Sequence, residues 1–128
     1  LADVTRFPFE RASLVVMNFT LQFLPPDERL SLLVRIREAL LPGGVLVLSE
    51  KTQSLDAHDE DLERRLHDSF RAMNGYTELE MARKREALER VLVPDSIELH
   101  EERLRAAGFR PQPWFRALQF VSWIATPR

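Results

Sequence analysis

Residues 12–19 (A-S-L-V-V-M-N-F) form a short, nearly unbroken apolar run, the pattern of a strand buried on both faces. Pro25, Pro26 and Asp27 then mark a helix start, because proline is tolerated in a first turn and an acidic residue suits an N-terminus. Leu30, Leu33, Val34 and Leu41 recur at helical spacing beyond it, as do Leu32, Ile36 and Leu40. Pro42, Gly43 and Gly44 are expected to stop that helix. A second apolar strand follows at residues 45–48 (V-L-V-L). Strand, helix and strand with this punctuation predict a βαβ unit, hence a right-handed crossover and a parallel pair.

From residue 59 to residue 92 the chain becomes charged and helical, with a break near Asn74 and Gly75. Leu62, Leu66, Phe70 and Met73 predict the inner stripe of the first of these helices, its charged face lying in solvent. Asp95 and Glu98 have capping-box spacing, with Asp in place of the usual Ser or Thr. They open a further helix carrying Ile97, Leu104 and Ala107, which Gly108 ends. Residues 114–117 and 120–125 are β-rich and predict an antiparallel hairpin around Leu118 and Gln119. The result is one α/β domain: parallel strands, a helical insert over about 56–93, and a reversed final strand. In such sheets ligands lie beyond the carboxyl ends of the parallel strands, where Asn18 and Glu50 stand.

Composition narrows the chemistry. With 128 residues the chain has room for one modest core. A formal net charge of −2 gives no basic field, so direct binding of nucleic acid or an anionic membrane is not expected. The absence of cysteine excludes disulfides, thiolate zinc sites and thiol nucleophiles. No apolar run approaches bilayer-spanning length, and a cytoplasmic address is the expectation. The chain opens on Leu1 and Asp3 just ahead of an apolar strand, which reads as part of a longer domain whose upstream half is missing.

Arg85 carries the sharpest signal. It stands in the row Met81, Arg85, Leu88, Leu92, spaced by four, three and four on one face of a helix over 77–92. A guanidinium in an apolar stripe is either a planar clamp for a carboxylate ligand, or a side chain that reaches water or pairs with Glu78, Glu89 or Glu50. Asn18 can hold a ligand's polar edge or simply close a turn. Asp3 could accept from an amine while Val4 flanks a flat ring. His58, His67 and His100 lack metal-ligand spacing and read as surface residues. The acidic run Asp56, Asp59, Glu60, Asp61 and Glu63 reads as a helix N-terminus. Trp114, Phe115, Phe120 and Trp123 alternate at strand spacing and are expected in the core.

Several stretches carry a family resemblance. The strings L-V-V-M-N-F-T-L-Q-F-L at 14–24, L-P-G-G-V-L-V-L-S-E-K at 41–51, N-G-Y-T-E-L-E at 74–80, K-R-E-A-L-E-R-V-L at 84–92 and A-G-F at 107–109 resemble the carboxy-S-adenosyl-L-methionine synthases. The resemblance runs in order along the whole chain. It implies the C-terminal half of a Rossmann-like class I S-adenosylmethionine fold, without the glycine-rich loop that precedes it in the family. It implies that Asp3 and Val4 serve the adenine of the cofactor, that Asn18 contacts the ligand, and that Arg85 grips the extra carboxylate of carboxy-S-adenosylmethionine. The implied reaction takes S-adenosylmethionine and prephenate to carboxy-S-adenosylmethionine and phenylpyruvate. A partner enzyme, a tRNA carboxymethyltransferase, then uses the product at the wobble uridine. A homodimer is implied too, with no direct nucleic-acid contact by this protein. The half alone is expected to bind cofactor weakly and to be inactive.

Two other readings remain open at this level. An ordinary S-adenosylmethionine methyltransferase shares the fold but has no use for a cation beside its sulfonium. A non-catalytic interaction module would instead use an apolar sheet edge.

Overall fold

The computed structural model describes residues 2–89 and 91–128. Among them the chain runs β1 (Ala12–Asn18), a 3-10 turn (Leu21–Phe23), α1 (Pro26–Ala39), β2 (Leu40–Lys51), α2 (Ala57–Met73), α3 (Glu78–Glu89), α4 (Ile97–Ala106), β3 (Phe109–Ala117) and β4 (Phe120–Pro127). The four strands form a single sheet in the order β1-β2-β4-β3. β1 and β2 pair in parallel across the α1 crossover, while β4 runs antiparallel to both β2 and β3. The βαβ unit and the reversed final strand are therefore both present.

The core forms where α1 and α4 cover one face of this sheet. Leu32, Leu33 and Ile36 from α1 and Leu104 and Ala107 from the end of α4 meet Met17, Leu46, Leu48, Phe109, Val121, Trp123 and Ala125. The sheet's other face is less covered, and this corrects the expectation of strands buried on both faces. Leu14 and Val16 of β1 are exposed, and along β2 deep burial alternates with partial burial. A strand with one covered face buries every second residue, whatever the composition of the run.

Other expectations also change. α1 ends at Ala39, and Pro42, Gly43 and Gly44 lie within β2, not at a helix stop. There the register with β1 jumps from Ala12↔Leu40 to Leu14↔Val45, so this segment is an irregularity in the strand. Gly44 is required at that point: a Cβ would lie 2.8 Å from the Leu41 carbonyl oxygen. The α4 cap is Ser96, whose hydroxyl accepts from Leu99 N at 3.1 Å, and not Asp95, whose carboxylate is committed elsewhere. Leu62, Leu66, Phe70 and Met73 are exposed; among the described residues no element covers that face of α2. Trp114 and Phe115 are exposed on β3, whereas Trp123 on the inner strand β4 is fully buried. The hairpin turns where expected, with Leu118 in the left-handed region at φ 54°. The acidic start of α2 caps as anticipated, Asp56 accepting from His58 N and Asp59 N.

Candidate active site

The strands deliver Asn18 and Lys51 to one end of the parallel pair, where Asn18 is in register with Ser49. Beyond this end α2 and α3 stand over the C-terminal part of β2 and enclose a cleft of about 270 Å³. Among the described residues, Lys51, Arg64, Arg71 and Arg85 line it against two carboxylates, Glu60 and Asp68. Leu88, Leu92 and Pro94 supply an apolar wall. A cleft with surplus positive charge and one apolar side suits an organic anion.

Arg85 and Leu88 reach this cleft from α3, which ends at Glu89 and so falls short of the expected helix over 77–92; Leu92 lines the cleft from the segment after the helix. Arg85 is half-exposed, and its Nη2 lies 2.8 Å from Asp68 Oδ2 on α2. The pairing partner is thus neither Glu50 nor Glu78; the Glu89 side chain lies outside the described residues. One carboxylate holds one edge of a fork that has five donors, so Arg85 keeps capacity for a second anion. Burial lowers the Lys51 ammonium from its usual range, with the charges of Arg71 and Arg85 acting in the same direction. His67 also lines the cleft; burial, then Arg71 and Lys51, hold it below its usual value.

Asp3, Val4 and Asn18 do not line that cleft. Asp3 closes a local turn, its Oδ1 accepting from Thr5 N at 2.9 Å and Thr5 Oγ1 at 2.7 Å, and these bonds hold its carboxyl below the usual range. Val4 is half-buried against the core cluster. Asn18 leaves its side chain exposed; its backbone carbonyl closes the turn, accepting from Thr20 Oγ1 at 3.2 Å. Phe19 follows at φ 52°, its N–H donating to Ser49 O.

The β1–α1 loop is clamped by two fully buried side chains whose roles were not anticipated. Glu50 Oε1 accepts from Leu21 N at 2.9 Å and its Oε2 from Gln22 N at 3.4 Å. From the other side Arg29 donates to Leu24 O, Gln22 O and Val93 O. Arg29 Nη1 also pairs with Asp95 Oδ2 at 2.6 Å, and Arg103 Nη2 meets the same oxygen at 2.7 Å. Burial pushes the Asp95 carboxyl up, but bonds and charge from Arg29 and Arg103 outweigh it and leave it below its ordinary value. Burial raises Glu50 to about 7 despite the amides of Leu21 and Gln22. The signal was present in the sequence: Arg29 leads the row Arg29, Leu32, Ile36, the same pattern that singled out Arg85. His100 was expected at the surface. It is buried against Trp123, their rings 5.2 Å apart, and burial lowers it to about 4.

Comparison with known proteins places this arrangement. No protein-family model matches the chain. It is 58% identical over 127 residues, 98% of its length, to the carboxy-S-adenosyl-L-methionine synthase of Pseudomonas putida. The synthase of Pseudomonas aeruginosa is 56% identical over the same share. The chain spans about half the length of these curated relatives, 51% and 52% respectively. Among solved structures it resembles the mitomycin 7-O-methyltransferase (TM-score 0.66, 13% identity), covering 99% of this chain and 33% of that one. Human N-acetylserotonin methyltransferase in complex with S-adenosylmethionine gives a TM-score of 0.64 at 18% identity, covering 98% of this chain and 32% of that one. The chain therefore has the fold of class I S-adenosylmethionine methyltransferases, and it resembles the carboxy-S-adenosyl-L-methionine synthases along almost all of its length.

Proposed function

We propose that this chain forms the carboxylate-gripping part of a carboxy-S-adenosyl-L-methionine synthase. The enzyme's substrates are S-adenosylmethionine and prephenate, and its products are carboxy-S-adenosylmethionine and phenylpyruvate. The observation that carries the reading is 58% identity over 98% of the chain to curated synthases. The cation-rich cleft around Arg85 supports it, because the reaction adds a carboxylate where an ordinary methyl donor has none. Bound S-adenosylmethionine supplies a sulfonium whose attached methyl group is acidified.

In this reading the chain's residues bind and orient. Arg85, held by Asp68, directs its remaining N–H donors at the new carboxylate, a pre-set charge that favours the product. Glu50 and Arg29 fix the loop after Asn18, so the strand end that meets the nucleoside is rigid. Asp3 and Val4 are assigned to the adenine, and Asn18 to the bound ligand. The protein works as a cytoplasmic homodimer without touching tRNA, and its product passes to a tRNA carboxymethyltransferase for wobble-uridine modification.

Arg85→Ala in the native protein tests the reading. One charge-assisted hydrogen bond is worth about 1.5–3 kcal/mol, so losing a two-point grip should cut carboxy-product by about a hundredfold or more. Binding of S-adenosylmethionine, read by calorimetry, should stay near wild type. A variant that keeps making carboxy-product would remove Arg85 from the site. The second reading is an ordinary methyltransferase, which the fold shared with the mitomycin 7-O- and N-acetylserotonin methyltransferases accommodates equally well. Arg85→Ala would leave such an enzyme's methyl transfer nearly unchanged.

A further inference from the structure

We propose that Lys51, seconded by Arg71, makes the Arg85 cleft selective for a dianionic organic acid over a monoanion. The inference rests on the cleft being the anion-gripping part of the site and adds the residue that sets its charge preference.

The partners of the lining cations set this preference. Of the cations lining the cleft, Arg85 is given to Asp68 at 2.8 Å and Arg64 to Asp61 at 2.7 Å. Glu60 is also committed: one oxygen accepts from Ser54 N at 2.9 Å and the other from Gln119 Nε2 at 2.8 Å. Lys51 and Arg71 are left, and among the described residues neither makes an ion pair. The carboxylates of Glu60 and Asp68 act on Lys51 through space without pairing with it, burial still dominates its half-buried ammonium, and a bound anion would relieve it. The lining holds four cations and, among the described residues, two carboxylates, a surplus of two positive charges that matches a ligand with two negative charges. The backbone of Lys51 is fixed, its N–H donating to Gln22 Oε1 at 2.9 Å and its strand position paired with Phe120. The stem therefore leaves the sheet at one place, toward the cleft. Leu88, Leu92 and Pro94 on the facing wall favour a carbon skeleton between the charges, hence a small dicarboxylate over inorganic phosphate.

The test titrates this chain with malonate, acetate and inorganic phosphate, following amide and guanidinium signals of the cleft by NMR. Malonate is expected to half-saturate at a concentration at least about tenfold below acetate, the size of one charge-assisted contact. Lys51→Met should bring the two acids to within about threefold of each other, and Lys51→Arg should restore the gap. Lys51 is half-exposed at a strand end, so these variants should fold. Three results would overturn the inference: no saturable malonate binding, an unchanged malonate-to-acetate ratio in Lys51→Met, or phosphate binding as tightly as malonate. The proposed activity fails separately, through carboxy-product that persists in Arg85→Ala while Lys51→Met still abolishes discrimination between the acids.

Discussion

Asp95→Ala is expected to destabilise the folded chain by about 3–5 kcal/mol, the cost of leaving buried charge uncompensated. Asp95 Oδ2 is the single atom on which Arg29 and Arg103 converge, at 2.6 Å and 2.7 Å. Arg29 is fully buried and Arg103 almost so, which leaves little water to replace the carboxylate. Three backbone carbonyls would still accept from Arg29, but they carry no net charge. The loss is a large fraction of the roughly 5–15 kcal/mol that holds a domain together. Urea unfolding followed by circular dichroism measures it. A loss below about 1 kcal/mol would mean that solvent reaches the cluster.

The second large effect is a pH dependence. Among the described residues His100 has no hydrogen-bond partner for either ring nitrogen, and the charged groups that face it are Asp95, Arg103 and Arg29. Its folded value is lowered from 6.5 to about 4, so its contribution is present above 6.5 and is lost as pH falls toward 4. At about pH 5 the unfolded chain gains a proton there that the folded chain refuses, a loss of about 2 kcal/mol. Glu50 runs the other way. Its folded value is raised from 4.5 to about 7, so its contribution is complete below 4.5 and disappears as pH rises through 7. The two windows overlap with opposite sign, and wild-type stability should look nearly flat between them. His100→Phe unmasks the balance. Relative to wild type it should gain about 2 kcal/mol on going from pH 8 to about pH 5, whatever constant offset repacking adds. Thermal melts of both proteins across that range decide it, and parallel curves would show that His100 is protonated without penalty.

The sequence carried the backbone plan better than the burial. The apolar runs, the Pro-Pro-Asp start and the Leu118 turn each express local chemistry, so β1, α1, β2 and the hairpin were legible. Which apolar residues are covered is a property of the whole assembly. Leu14, Phe70 and Trp114 have the composition of core residues, yet each is more than half exposed. His100 shows the converse, a polar ring drawn inside by Trp123. At the site, helical spacing put Arg85 and Leu88 on the cleft side of α3, while Leu92 lines the same cleft from beyond the helix end. The partner of Arg85, Asp68, lies on another helix, and no local pattern names a partner 17 residues away. The same spacing rule passed over Arg29, whose apolar row is just as regular and whose burial is complete. Lys51 was invisible for a different reason: that it makes no ion pair among the described residues is a fact about its surroundings, which requires coordinates.

The strand order has a consequence for biosynthesis. β4 is inserted between β2 and β3, so the ribosome delivers the middle of the sheet after both of its flanks. Until residues 120–127 leave the exit tunnel, the inner edge of β2 is an open row of amides and carbonyls, and Leu46 and Leu48 lack the cover of Trp123. A nascent chain paused just before Phe120 would be the species that chaperones have most reason to hold.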